Sequence, residues 1–419
     1  MARRLRCSVG IMAYNEEANI GNAIRSVLAQ ELVSCEIAEL VVVASGCTDG
    51  TADRVLAIAR EDSRVALVVE PERAGKASAI NRFIEAARCP VLIMVSADVL
   101  VAEGAIEGIA HHFHDPGVGM VGGHPVPVND AATFLGHTVH LLWGLHDAIA
   151  REVPKLGEIV AFRNVVGSIP TDSAVDEVSL ESRVAGLGYR LVYEPSAVVY
   201  NRGPSTVADF MRQRRRIAAG HFGVARREGY AASTMSPARV ARAVARSQAR
   251  PALRRPVWTA GACGLELGAR ALGYYDYRRG RSHHIWSAVT TTKADVATSV
   301  LALAGTSTTP ASPSLTLVTS APVSAAAADT APVDRAVAVI ARAETVITDA
   351  EVVIARAKEA IAGARAIIDE ASTAGQRRHV GAVAAGAEAS AYLAASGEPN
   401  GYVAAAGEPA AATEEGTWG

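Results

Sequence analysis

The chain has 419 residues, half of them hydrophobic and a fifth charged, with a formal net charge of −2. That suits a globular protein of two or three domains, and the near-neutral balance offers no basis for nucleic-acid binding. Its five cysteines, an odd number without CxxC spacing, argue against zinc and for free thiols in a reducing compartment.

The first seventeen residues, MARRLRCSVGIMAYNEE, are basic and then apolar, like a secretory leader. The apolar part is too short for one and is interrupted by Asn15, Glu16 and Glu17, so it reads as a first strand over 5–13. An amphipathic helix is expected over 16–30, with Ala18, Ile20, Ala23, Ile24, Val27 and Leu28 on its inner stripe. A fully apolar strand follows at 39–45. A helix at 51–60, a strand at 65–69, a helix at 76–88 and a strand at 91–95 continue the rhythm. Strands alternating with helices at this spacing specify βαβ units and a parallel sheet covered on both faces. Ligands of such sheets bind beyond the carboxyl ends of the strands. Tyr14-Asn15, Ser45-Gly46 and Ser96-Ala97-Asp98 should therefore converge on one crevice.

After residue 115 the pattern changes. Residues 118–128 are β-like, 137–152 helical, 190–200 a strand and 207–220 a basic helix. GVGMVGG at 117–123 matches a dinucleotide fingerprint literally, but Pro125 and Pro127 forbid the helix that the fingerprint requires. Its glycines read instead as places where a strand passes close to a neighbour. Between 236 and 255 stand Arg239, Arg242, Arg246, Arg250, Arg254 and Arg255 without an acid. They form either a solvated face or a surface for anionic lipid. Val296 to Ala328 is uncharged, yet Pro310, Pro313 and Pro322 rule out a membrane-spanning helix there.

Residues 296–332 form a Ser/Thr/Pro/Ala linker. Over 333–372, Ile340, Ile347, Ile354, Ile361 and Ile368 recur every seventh residue with alanines at the next inward positions. They predict a long helix that either pairs with another helix or stands alone. Residues 373–419 are Ala/Gly/Glu-rich and expected to be disordered.

Several short motifs carry chemistry. They are AYNEEANI (13–20), SGCTDGT (45–51), RAGKASAIN (73–81), Asp98, VDEVSLE (175–181) and QRRRIAAGH (213–221). Each has a local explanation as a cap or a turn. A Gly-Lys pair at a helix start also suits an anionic ligand. A lone carboxylate at the end of an apolar strand needs a partner.

In this order the motifs resemble the inverting family 2 glycosyltransferases of the GT-A fold. The resemblance covers residues 6–222 and continues weakly to 293. It implies a Rossmann-like, mostly parallel sheet flanked by helices in a domain over 1–228. A basic helical extension (229–295), the linker, the heptad helix and the tail would follow. It further implies a nucleotide-sugar site of Ala13, Tyr14, Asn15, Glu16, Ser45, Lys76, Ser96, Asp98, Gln213 and Arg216. Asp98 would hold Mg2+ or Mn2+, and Asp176 or Glu177 would be the catalytic base. His221 is a further candidate metal ligand, or a structural histidine. Glu158 and Arg163 are candidates for the acceptor side.

The chain departs from the family pattern at Ser45, Ser96 and Ile217, where an Asp, an Asp and a Trp are usual. The expected partners are a nucleotide-sugar donor and a glycan or lipid-linked acceptor, in cell-surface polysaccharide synthesis. The expected location is the cytoplasm, with peripheral contact at the inner face of the plasma membrane. Self-association through 333–372 is a further expectation. A competing reading is a non-catalytic nucleotide-sugar-binding scaffold that assembles partners through its C-terminal helix.

Overall fold

The computed structural model describes residues 4–249, 255–281, 283, 292, 293 and 296–300. The heptad segment and the tail lie outside the described residues, as does the linker beyond residue 300. Met1–Leu315 forms one compact unit.

The chain opens with β1 (Leu5–Ala13), α1 (Ile20–Leu28), β2 (Cys35–Ser45) and α2 (Thr51–Glu61). It continues through β3 (Val65–Glu70), α3 (Lys76–Ala86), β4 (Val91–Ser96), β5 (Leu100–Val101) and α4 (Ala105–His111). Next come β6 (Val118–Pro127), α5 (Phe134–Ala150), β7 (Ile159–Arg163), α6 (Asp176–Gly186) and β8 (Arg190–Asn201). Three helices complete the fold: α7 (Val207–Glu228), α8 (Pro237–Ser247) and α9 (Pro256–Arg278).

The strands form one sheet in the order β3-β2-β1-β4-β7-β6-β8-β5. The four strands of the βαβ half are parallel, as their spacing requires. β7 then runs antiparallel between β4 and β6. Side chains alternate across the sheet and build a core on each face. Val91, Ile93 and Val95 enter one core with α1 and α4, while Leu92 and Met94 enter the other with α3. Burial on both faces explains why β4 reads as a continuous apolar run.

Boundaries moved for local reasons. The helix expected from residue 16 begins at Ile20, because 15–19 serves as a turn that bonds to the loop after β2. β2 starts four residues earlier than expected, at Cys35, in register with Leu5. β7 is only five residues long and was not foreseen as a strand.

The glycines of 117–123 line a strand, as anticipated. A Cβ at Gly119 would lie 2.3 Å from the Tyr189 Cβ, and one at Gly123 would lie 2.4 Å from the Ala197 carbonyl oxygen.

The extension after residue 228 is tied into the body. Arg214 of α7 forks onto Glu266 of α9 (2.6 and 2.7 Å), and Arg215 onto Asp276 (2.5 and 2.6 Å). Residues 296–300, expected as the start of the linker, are helical, and Val296 is buried.

Candidate active site

The three strand-end turns converge as the sheet topology demands. Asn15 sits at φ 53°, a left-handed conformation that Asn tolerates better than most residues. Its amide donates to Thr48 Oγ1 (3.1 Å), and its side-chain oxygen accepts from the Thr48 amide (2.8 Å). The Glu16 amide donates to Thr51 Oγ1 (2.8 Å) and the Glu17 amide to Asp49 Oδ2 (3.1 Å). The turns after β1 and β2 are thus sewn into one wall. The Tyr14 ring on that wall carries the Arg73 guanidinium 3.7 Å from its centroid.

A cavity of about 1670 Å³ opens beside this wall. Met12, Ala13, Tyr14, Glu16, Ser45, Lys76, Ser96 and Asp98 line it from the parallel half of the sheet. Glu158, Asp176, Glu177, Gln213, Arg216 and His221 line it from the later elements. Of the residues expected at the donor and catalytic site, the structure brings all but Asn15 to the cavity lining, and Asn15 braces the wall behind Tyr14.

Lys76 begins α3 directly after Gly75, whose φ of 94° suits a residue without Cβ. Its ammonium bonds Glu177 Oε1 at 2.7 Å. Burial opposes its charge, but Glu177, Asp176 and Glu158 outweigh burial and raise its pKa above the ordinary lysine range. Glu177 is the converse case. Burial pushes its pKa up, Lys76 overrides it, and the carboxylate stays ionised down to about 2.

Asp176 differs from its neighbour. Burial, with Glu177 beside it, pushes its pKa up to about 7 against the pull of Lys76. One of its carboxylate oxygens, Oδ1, is buried without a hydrogen-bond partner. Such an atom is costly to bury unless a ligand or water completes it. Arg216 stands close by. It donates to the Ala174 carbonyl (2.8 Å) and so ties α7 to the loop that leads into Asp176 at the start of α6. Burial holds its pKa down to about 10 in spite of Asp176 and Glu177.

Asp98 and Glu158 form a second acidic focus. Burial and the charge of Glu16 push Asp98 up to about 6. Burial and Asp98 push Glu158 up to about 7. The backbone at Glu158 is left-handed (φ 60°), a strained conformation for a residue with a side chain. Its carbonyl accepts from the Ser96 amide at 3.0 Å, which fixes it beside the end of β4.

Among the described residues no three His, Cys, Asp or Glu side chains form a ready metal cage. The oxygen donors do suit a hard divalent cation. Asp98 would hold Mg2+ or Mn2+ with the donor diphosphate and water supplying further ligands, a habit of Mg2+ sites. A cation there would offset the mutual repulsion of Asp98, Glu158 and Glu16.

His221 is away from that focus in character. It is 8% exposed with Nδ1 unpartnered, and burial together with Lys155, Arg214 and Arg270 lowers its pKa to about 3. Lys155, Arg214 and Arg270 outweigh the one neighbouring carboxylate, Glu266, which disfavours a metal ion here. Arg163 does not reach the cavity lining at all. It donates to the carbonyls of Val118, Phe113 and Asp115 at the far end of β7, which corrects its expected acceptor-side role. Ser45 is buried on the cavity wall with its hydroxyl unpartnered.

Lys293 was not anticipated. Its ammonium donates to the carbonyls of Tyr14 (2.5 Å) and Asn15 (2.6 Å) and to Glu16 Oε1 (2.7 Å). Those three bonds use every proton an ammonium offers, so Lys293 holds the first turn in shape.

The cavity lies at the carboxyl ends of parallel strands, with a lysine at a helix start and clustered carboxylates, an arrangement that suits an anionic ligand. Residues 8–168 match the family model of glycosyl transferase family 2, and residues 91–303 that of glycosyl transferase family group 2. The chain belongs to the family 2 glycosyltransferases and is an enzyme of that class, with the GT-A architecture in its sheet and flanking helices.

Among curated proteins it is similar to poly-beta-1,6-N-acetyl-D-glucosamine synthase of Staphylococcus aureus (strain COL). The two are 28% identical over 242 residues, 55% of this chain and 57% of that protein. The synthase of Staphylococcus epidermidis is 24% identical over 223 residues, 50% of this chain and 53% of that protein. The chain thus spans about half the length of the curated relatives it matches.

Among solved structures it is similar to a mannosyltransferase from Pyrobaculum calidifontis in complex with GDP-Man and Mn2+. That match has 25% identity and a TM-score of 0.44, and covers 72% of this chain and 87% of that one. Glucosyl-3-phosphoglycerate synthase from Mycobacterium tuberculosis, solved with Mn2+, UDP and phosphoglyceric acid, matches at 22% identity and a TM-score of 0.39. The coverage is 52% of this chain and 77% of that one.

Proposed function

We propose that the protein transfers a sugar from a nucleoside-diphosphate donor to an acceptor hydroxyl by a single inverting displacement, with Asp176 as general base. The observation that carries this reading is the contrast within one acidic pair. Glu177 is committed to Lys76, whereas Asp176 keeps an unpartnered buried oxygen and a pKa near neutrality. A base must hold a free lone pair toward the proton it takes, and it works best with a pKa near the operating pH.

Tyr14, Ser45 and the locked turn of 13–16 flank the nucleotide. Lys76, at the start of α3, faces the diphosphate, where its charge and the helix N-terminus favour the negative charge that grows as the bond to the sugar breaks. Asp98 is the carboxylate ligand of Mg2+ or Mn2+, which when bound supplies Lewis-acid stabilisation of the leaving diphosphate. Asp176 removes the acceptor proton as the hydroxyl attacks the anomeric carbon. Arg216 keeps the loop that leads into Asp176 in place.

The likeness to poly-beta-1,6-N-acetyl-D-glucosamine synthases supports a glycan or lipid-linked acceptor and a role in cell-surface polysaccharide synthesis. It also supports work on the inner face of the plasma membrane. Among the described residues no helix is long and apolar enough to cross a membrane, so contact would be peripheral in that part of the chain.

The test begins with a thermal-shift screen of UDP, GDP and dTDP sugars with Mn2+, because Ser45 stands where the family usually has an Asp. With the donor so found, Asp176→Asn should lower kcat by about 10²–10⁴-fold with KM for the donor little changed. A product that keeps the donor's anomeric configuration in NMR would rule out the single displacement.

A further inference from the structure

The outward face of α9 is apolar along its length. Val257, Ala260, Gly264, Ala271, Tyr274 and Tyr275 are all exposed and fall on one stripe of the helix, and Leu267 on the same stripe also borders the cavity. Val257 is 80% exposed and Leu267 67%, far from a normal fate for such side chains in a helix of 23 residues. Single exposed apolar residues mean little, but a stripe whose one charge is Arg278 at its end marks an interaction surface.

Charge says what the surface meets. The helix has two acids, Glu266 and Asp276, and both are turned inward onto Arg214 and Arg215 of α7. The exposed charges of the helix and its flanks are arginines: Arg255 before it and Arg278 and Arg279 at its end, while Arg281 turns back onto Asp276 (3.3 Å). The Arg255 guanidinium lies 4.5 Å from the Trp258 centroid and that of Arg279 lies 5.2 Å from the Tyr275 centroid, so aromatic rings and cations share both ends.

We propose that α9 docks the enzyme on an anionic lipid surface, with its apolar stripe in the headgroup boundary and the terminal arginines on lipid phosphates. An apolar stripe with basic, aromatic-bearing ends is the composition of a helix that lies in the plane of a membrane interface. A second copy of the chain fits less well. Packing α9 on its own image brings arginines against arginines whether the helices run parallel or antiparallel. The two arginines of α8 nearest the surface are less available than the sequence implied, since Arg242 and Arg246 share Glu152. This inference rests on the reading of an enzyme that works at a membrane surface, and it assigns that contact to one helix.

The test uses the full chain in co-sedimentation with vesicles of phosphatidylcholine alone and of phosphatidylcholine mixed with phosphatidylglycerol. Binding is expected only to the mixed vesicles and should fall as salt is raised. Arg278→Glu/Arg279→Glu should lower partitioning by about fivefold or more for each arginine reversed. Val257→Glu/Ala271→Glu, both at exposed positions outside the cavity lining, should abolish it while leaving circular dichroism and donor binding as in the parent.

Vesicle binding that survives both double variants overturns the assignment to α9 while leaving membrane attachment intact. No binding to the mixed vesicles overturns the lipid partner. So does a concentration-dependent dimer that Val257→Glu/Ala271→Glu dissociates. Donor turnover in solution, measured in parallel, reports on the transfer chemistry separately.

Discussion

At the scale of single residues, the proposed chemistry rests on two carboxylates, Asp98 and Asp176, whose surroundings differ. Asp98 is raised by burial and by Glu16, so its charge is poorly compensated until a cation joins it. Asp98→Asn should weaken nucleoside-diphosphate binding in the presence of Mn2+ by tenfold or more (about 1.4 kcal/mol per tenfold) and leave the metal-free affinity unchanged. Isothermal titration with and without Mn2+ measures both, and equal losses in the two conditions would remove the metal role.

Asp176 must be ionised to act as a base, and its pKa of about 7 means that the active fraction falls as pH drops through that value. The acid limb of kcat/KM should therefore break near 7, well above the range of an ordinary carboxylate. Glu177→Gln should act differently. It removes the partner of Lys76 and the neighbour that disfavours the Asp176 charge, so the break should move to lower pH. A pH profile of the Glu177→Gln variant that coincides with that of the parent would show that the pair is not coupled.

Asp98 was legible because a lone carboxylate closing an apolar strand demands a partner. The difference in environment between Asp176 and Glu177 was not, because it depends on which of them Lys76 bonds. That lysine lies 101 residues away from Glu177.

At the scale of elements, the sheet is held by close approaches that only small residues permit. Gly123 of β6 sits where a Cβ would meet the Ala197 carbonyl oxygen of β8 and the Ile159 side chain of β7. Backbone cannot rotate out of the way, so Gly123→Ala should destabilise the fold by about 1–3 kcal/mol, read as a lower Tm in a thermal melt. An unchanged Tm would mean that β6 and β8 separate more easily than their register suggests.

The four βαβ strands were readable because their hydrophobic runs have strand length and the helices between them carry a 3.6-residue stripe. β7 was not, because five residues flanked by Glu158 and Asn164 give too short a pattern to distinguish a central antiparallel strand from a loop. Its placement matters, since it brings Glu158 to the end of β4 beside Asp98.

At the scale of the whole molecule, the helices after the sheet are part of the body, joined by charge. Glu266 accepts from Arg214 and Arg270, and these bonds hold its pKa near 2 against burial. Breaking such a pair on one side leaves uncompensated charge, so Glu266→Gln should cost on the order of 3–5 kcal/mol in chemical denaturation. The heptad segment of 333–372 makes a prediction of its own. If its Ile seam pairs with a second helix, the full chain should sediment at a higher multiple of its monomer mass than a version ending at residue 300. Equal multiples would sink the pairing.

What the sequence determined by itself was the family, the parallel half of the sheet, and the turns that meet at its edge. These are local facts, written in the spacing of apolar residues and in short motifs between them. Tertiary structure alone decided which charges face one another. Lys293 reaches Glu16 across 277 residues, Lys76 bonds Glu177 and leaves Asp176 Oδ1 without a hydrogen bond, and the acids of α9 turn inward so that its outer face is apolar and basic. Pattern along a chain fixes which side of an element is buried. Electrostatic environment depends on distance in space and on exclusion of water, and neither exists until the chain has folded.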